Sequence, residues 1–259
     1  MSYEFDQDPQ VKEFALRVRN FINTEVIQHE PELNPDSHGI NPDLRVVLQD
    51  KARAANVFAP TAPKEFGGHG FNHVAQAVIL EESGRSLLGP TALNCAAPDE
   101  GNILLLNKIA TPEQRAKYLA PLSKGEIRSS FSMTEPSPGA GADPNLLSTT
   151  AEKTKNGWVI NGNKWLITGA DGAGFSIVMA KTSGGATMFL VDAENPGMKV
   201  VRSLDTLDSA FTGGHGVVDF NNCEVSDAAV LGQVDEGFVN AQVRLGPARL
   251  THCMRWLGA

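Results

Sequence analysis

The strongest constraint on how this chain folds is a change of hydrophobic period near Ile127. Before it, apolar residues recur at helical spacing. After it they form short, often β-branched runs. From Pro9 to Glu30, the residues Val11, Phe14, Ala15, Val18, Phe21, Ile22 and Val26 step by three and four, which places them on one helix face. Pro9 falls in the first turn, where a missing N–H is harmless. Asp43–Val57 and Asn72–Arg85 continue the helical pattern, with loop punctuation at Pro60-Thr-Ala-Pro63 and Gly67-Gly-His-Gly70 between them. Thr111-Pro-Glu-Gln114 has capping-box spacing and predicts a helix to about Leu122, ended by Lys124-Gly125.

Beyond Ile127, the runs Ser129–Met133, Trp158–Ile160, Lys164–Thr168, Ser176–Ala180, Met188–Val191, Met198–Arg202 and Gly216–Phe220 read as strands of an antiparallel sheet. Asn161-Gly162 has hairpin-turn composition. Phe238–Ala259 returns to helix. The order predicts an α+β chain: an N-terminal all-α domain (1–126), a middle antiparallel β domain (127–236), and the start of a further helical domain (237–259).

A net charge of −8 argues against a bulk basic surface, so nucleic acid is not an expected partner. No apolar run approaches transmembrane length, and the acidic start Met1-Ser-Tyr-Glu-Phe-Asp lacks the apolar core of a signal peptide. Cys95, Cys223 and Cys253 are far apart and odd in number, which predicts reduced core thiols. These features together predict a soluble, cytoplasmic protein without membrane insertion.

The candidate chemistry lies in two segments. Phe131-Ser-Met-Thr-Glu-Pro-Ser-Pro-Gly-Ala-Gly-Ala-Asp143 ends a strand in a turn rich in Pro and Gly. Asn161-Gly-Asn-Lys-Trp-Leu-Ile-Thr168-Gly follows about 20 residues later. Small residues let backbone N–H groups approach an anion, and the hydroxyls of Thr134 and Thr168 can bond a planar heterocycle. A phosphate-bearing cofactor with a flat ring fits both. An ordinary Pro/Gly turn fits the first segment alone. His69 and His73 read as loop histidines rather than metal ligands, His215 and His252 as structural, and Glu81-Glu82 as a solvated helix face. No metal site is expected.

Met133-Thr-Glu-Pro136, Gly141-Ala-Asp143 and Lys164-Trp-Leu-Ile-Thr168 resemble the acyl-CoA dehydrogenase flavoprotein family. Further matches are Pro98-Asp-Glu-Gly-Asn102, Glu113-Gln-Arg, Gly216-Val-Val-Asp-Phe220, Leu231-Gly-Gln-Val-Asp-Glu-Gly-Phe238 and Arg244-Leu-Gly-Pro-Ala-Arg249. They cover essentially the whole chain in order. The resemblance implies three domains, of which the third, a C-terminal four-helix bundle, is truncated here to its opening. The parent protein would be longer or cleaved, or completed by a partner, and intact-mass measurement is expected to show a longer chain or a cut near Ala259.

The resemblance also implies FAD, an acyl-CoA substrate, electron-transfer flavoprotein as electron acceptor, and a homo-oligomer. Carried over by position, Phe131, Met133 and Thr134 line the flavin, and Gly141 and Ala142 offer backbone to the pyrophosphate. Thr168 bonds the ring edge with Leu166 beside it, and Arg249 organises the active site. Ala142 stands where the family has a hydroxyl residue. The family's tryptophan aligns with Leu166, and strand alternation predicts that Trp165 points to the opposite face. One family position for the catalytic base is Ala248 here and the other is absent, so no catalytic residue is expected in this chain. The implied activity is α,β-dehydrogenation of an acyl-CoA thioester. A flavin oxidase or monooxygenase of the same fold, or a non-catalytic subunit that keeps it, are the alternatives.

Overall fold

A computed structural model of the chain describes residues 8–33, 39–141, 143–206 and 212–259. The helical part runs through α1 (Pro9–Phe21), α2 (Pro42–Ala54), α3 (His73–Gly84), the single turn α4 (Gly89–Ala92), α5 (Asp99–Ile109), α6 (Pro112–Gln114) and α7 (Ala120–Ser123). The predicted face of α1 and its extension, from Val11 to Val26, is wholly buried. Side chains cap the helices as their sequences require: Asn41 Oδ1 accepts from Asp43 N, and Asn72 Oδ1 accepts from Ala75 N. The capping box is present, with Gln114 N donating to Thr111 Oγ1 and Thr111 N to Gln114 Oε1. Glu82 departs from expectation. It is buried and bonded by Arg19 Nε at 2.9 Å, rather than lying on a solvated face.

The strands are β1 (Ser129–Ser132), β2 (Thr150–Thr154), β3 (Gly157–Thr168), β4 (Phe175–Lys181), β5 (Ala186–Asp192), β6 (Met198–Ser203), β7 (His215–Val225) and β8 (Val230–Leu231). They form one sheet in the order β6-β7-β3-β2-β4-β5-β8, with β1 added on β4. Most ladders are antiparallel, but β1 and β2 each pair β4 in parallel, so the sheet is mixed rather than purely antiparallel. The Asn161-Gly162 hairpin does not form. β3 continues through it, with a register shift against β7 between Ile160 and Gly162, and the true hairpin turn joins Thr154 to Gly157. Gly162 is needed for a different reason: any Cβ there would collide with Thr149.

The sheet separates two cores. Phe175, Ile177, Met179, Met188 and Leu190 pack with the helices, while Val178, Ala180, Phe189 and Val191 pack with Trp158, Ile160, Val218 and Phe220. β4 and β5 therefore have no solvent face, which explains their nearly unbroken apolar sequence. The final helix, α8 (Gly237–Gly258), lies on α3, where Gly84 faces the Arg255 backbone and Gly258 faces that of Glu81 so closely that neither admits a Cβ. Cys95 and Cys223 are buried as predicted, but Cys253 on α8 is exposed. Among the described residues, no helix is long and apolar enough to cross a membrane.

Candidate functional site

The two segments singled out in the sequence are laced together. Trp165 N donates to Thr134 O at 3.1 Å, and Lys164 Nζ donates to Met133 O at 3.0 Å. The end of β1 and the middle of β3 thus become neighbours across the mouth of the sheet. Phe131 and Met133 alternate with buried Ser132 and pack at the edge of the helical core. Ile167 belongs to the other core, so Thr168 turns to the side that Phe131 and Met133 occupy. Thr168 Oγ1 also meets Nδ1 of His215, its ladder partner, at 3.0 Å. His215 therefore adjoins the candidate site, a proximity that local sequence does not reveal.

Between Lys164 and Ile167 the ladder with β7 slips, and Trp165 and Leu166 oppose Val217 alone. Leu166 adopts φ +54°, a left-handed conformation that costs a branched side chain on the order of 1 kcal/mol or more. The bulge breaks the regular alternation from which the facing of Trp165 was expected. Both side chains are partly exposed, Trp165 at 36% and Leu166 at 46%.

The residue that sequence reasoning missed is Glu135. Its carboxylate is buried and accepts five hydrogen bonds, from Ala140 N, Ser148 N, Ser148 Oγ, Thr149 N and Lys164 Nζ, at 2.7–2.9 Å. Both side chains of the Glu135–Lys164 pair are fully shielded from solvent. Burial alone would push the Glu135 carboxyl up. Hydrogen bonding at Thr149 and the Lys164 ammonium outweigh it and hold the group well below the usual carboxylate range. Burial lowers the Lys164 ammonium from its ordinary value, against the pull of Glu135.

Glu135 thus closes the turn from both sides and fixes its shape. Gly139 lies so close to Glu135 that a Cβ would meet the carboxylate at 2.5 Å, whereas a Cβ at Gly141 would meet nothing within 4 Å. Gly141 is exposed, and its N–H donates to Gly139 O at 3.0 Å, which tightens the turn. Ala142 lies outside the described residues.

A second polar chain joins α5, β1 and α8. Asp99 Oδ1 accepts from Ser129 N and Oγ at 2.8 and 2.6 Å, Asn102 Nδ2 donates to Ser129 Oγ at 2.9 Å, and Arg244 Nε donates to Asn102 Oδ1 at 2.7 Å. The Arg244 guanidinium lies 4.1 Å from the centre of the Phe131 ring. Burial pulls it down to about 10, while Glu100 and Asp99 act the other way. Glu100, also buried, accepts from Thr251 Oγ1 at 2.9 Å and lies 3.7 Å from Arg255 Nη1.

Arg249 is exposed on α8 and is not brought against Phe131, Thr134 or Thr168 by any hydrogen bond. Ala248 contributes its carbonyl to Thr251 Oγ1 at 3.1 Å. No cluster of three metal-ligating side chains occurs among the described residues. His69 packs edge-on against Phe14, with ring centroids 4.6 Å apart, and is a packed residue rather than a loose loop histidine.

These residues can hold a flat, partly apolar ring with polar edges and a phosphate-bearing tail. Phe131, Met133 and Leu166 supply apolar contact, Thr134 and Thr168 supply hydroxyls, and Gly141 leaves unfilled space at the turn. FAD fits that donor set.

Residues 8–126 match the model for the acyl-CoA dehydrogenase N-terminal domain, and residues 130–223 match the model for the acyl-CoA dehydrogenase middle domain. The chain is 41% identical to the "Probable acyl-CoA dehydrogenase FadE2" of Mycobacterium tuberculosis, over 99% of this chain and 66% of FadE2. It aligns with a solved Mycobacterium abscessus structure carrying the acyl-CoA dehydrogenase name at 34% identity and TM-score 0.88, covering 98% of this chain and 68% of that one. A solved complex of glutaryl-coenzyme A dehydrogenase with glutaryl-CoA is 26% identical with TM-score 0.83, over 98% of this chain and 64% of the other. The chain spans about two thirds of the length of these relatives.

Proposed function

The chain belongs to the acyl-CoA dehydrogenase family, and from that premise we propose that the face running from Phe131 to Thr168 is the β-domain half of an FAD pocket serving α,β-dehydrogenation of an acyl-CoA thioester. The observation that carries this reading is the pair of bonds from Trp165 N to Thr134 O and from Lys164 Nζ to Met133 O, which joins the two cofactor segments into one surface.

Bound FAD supplies the hydride acceptor. Phe131, Met133 and Leu166 exclude water from the ring, and Thr134 and Thr168 orient it through their hydroxyls. His215 fixes the Thr168 rotamer. Gly141 leaves room for the pyrophosphate beside the turn, its own N–H being given to Gly139 O. Glu135 holds the turn in shape but is not a base, because all its oxygens are engaged and its carboxyl is held ionised by Lys164. The α-proton acceptor is not assigned to these residues, and Arg249 is the candidate for organising the substrate side. The glutaryl-CoA-bound relative supports an acyl-CoA as the substrate class, and electron-transfer flavoprotein is the proposed electron acceptor for a homo-oligomer.

Ala248 supports a second reading, a subunit that keeps the fold and is completed by a partner. The test is to load the purified protein with FAD, remove excess by gel filtration, and record the flavin spectrum before and after adding acyl-CoAs of graded length. Retained flavin that bleaches with an acyl-CoA is the expected result. Retained flavin that no acyl-CoA bleaches favours the second reading, and a colourless protein refutes the pocket.

A further inference from the structure

One charged group beside the proposed pocket is unexplained by packing. Arg244 stacks on Phe131 at 4.1 Å and gives its Nε to Asn102, yet it forms no ion pair with a described carboxylate. The acidic groups whose charge reaches it are committed elsewhere, Asp99 to Ser129, and Glu100 to Thr251 and Arg255. Its two Nη groups make no hydrogen bond to the described residues.

The position is nevertheless built for it. A Cβ on Gly101 would come within 3.3 Å of Arg244 Cγ and Nε, so this glycine leaves the space that the side chain fills. Asn102 has no exposed surface, and its amide is oriented by Ser129, so the acceptor for Nε is fixed before the arginine arrives. A desolvated cation without an ion-pair partner of its own is costly, and an apolar side chain of similar length would fill the same groove without that cost. A cation retained there points to negative charge arriving with a ligand.

Phe131 lies directly under the guanidinium and is one of the residues assigned to the flavin. We propose that Arg244 is a positioning residue of the flavin pocket: it pins the Phe131 ring and keeps a positive charge next to the cofactor that favours the reduced, more negatively charged flavin. Through the low-dielectric environment of a ring and buried amides, such a charge acts more strongly than it would in water. Asn102 anchors one edge of the guanidinium, and the remaining Nη donors carry the charge on the pocket side.

This inference rests on the FAD reading. The test compares FAD-loaded wild type with Arg244→Met, Arg244→Gln and Arg244→Lys, measuring the flavin reduction potential by equilibration with a redox dye, and FAD affinity by fluorescence. Arg244→Met is expected to shift the potential to a more negative value and to weaken FAD binding several-fold. Arg244→Lys, which keeps the charge but not the planar stack, is expected to restore the potential and not the full affinity. Arg244→Gln supplies the neutral comparison if Arg244→Met does not fold. A folded neutral variant with the wild-type potential overturns the inference while leaving the pocket intact, as does a lysine variant that behaves like the neutral ones. Wild-type protein that takes up no FAD refutes the underlying reading instead.

Discussion

Two cations flank the Phe131–Glu135 segment, and the protein treats them in opposite ways. Lys164 is fully buried and faces a carboxylate that collects four further hydrogen bonds. Arg244 has a desolvated guanidinium that meets an aromatic ring and one amide oxygen, but no carboxylate. The Lys164 charge is consumed inside the fold, where it sets the shape of a turn. The Arg244 charge is left over, which is the condition for its use on something that binds. Burial of a charge therefore does not by itself separate scaffold from site; the state of its counter-charge does.

The largest expected effect breaks the first half of that contrast. Lys164→Met leaves the Glu135 carboxylate buried and uncompensated, and should lower stability by about 3–5 kcal/mol in urea unfolding. Adding Glu135→Gln should recover much of that loss. A loss of less than about 1 kcal/mol for the single variant would show that water reaches the pair.

Acid is the next lever. The folded Glu135 carboxyl titrates below its unfolded counterpart, so its contribution is complete above the unfolded value near 4.3 and disappears as pH falls toward the folded one. A loss on the order of 2–3 kcal/mol between about pH 5 and pH 2 is expected, and Glu135→Gln should flatten that part of the profile. Gly162→Ala forces a methyl into Thr149, next to the bond that Thr149 N gives Glu135, and should cost about 1–2 kcal/mol. Arg244→Met should give the smallest change, within about 1 kcal/mol of wild type by the same unfolding assay, because it removes a cation that has no ion-pair partner to strand. A loss as large as that of Lys164→Met would erase the contrast.

The helical elements were legible because their signals are local. The Val11–Val26 stripe, the caps at Asn41 and Asn72 and the box at Thr111–Gln114 each act over a few residues, and each appears in the structure. The family was legible from motifs in the right order. What escaped was set by distance in sequence or by tertiary override. β2 (Thr-Ala-Glu-Lys-Thr) has almost no apolar pattern and is held by its neighbours. Asn161-Gly162 has turn chemistry, but β7 pairs with β3 on both sides of it and carries the ladder across with a shift of register. Glu135 meets Lys164 across 29 intervening steps of sequence, and Arg244 meets Phe131 across more than a hundred. A signal for the first pair does exist: a lysine two residues from an inward-facing strand position, with a glutamate in an otherwise apolar Met-Thr-Glu-Pro run, invites the question of what neutralises each.

β4 and β5 have a consequence for how the molecule comes apart. Phe175, Ile177 and Met188 belong to the helical core, while Val178, Phe189 and Val191, interleaved with them on the same two strands, belong to the other. A gene cut near residue 126 would strip one side of this common wall and leave a greasy, aggregation-prone plate. Heating should melt helices and sheet in one transition, and the two blocks should behave as a single cooperative unit in hydrogen exchange, although they match two separate family domains.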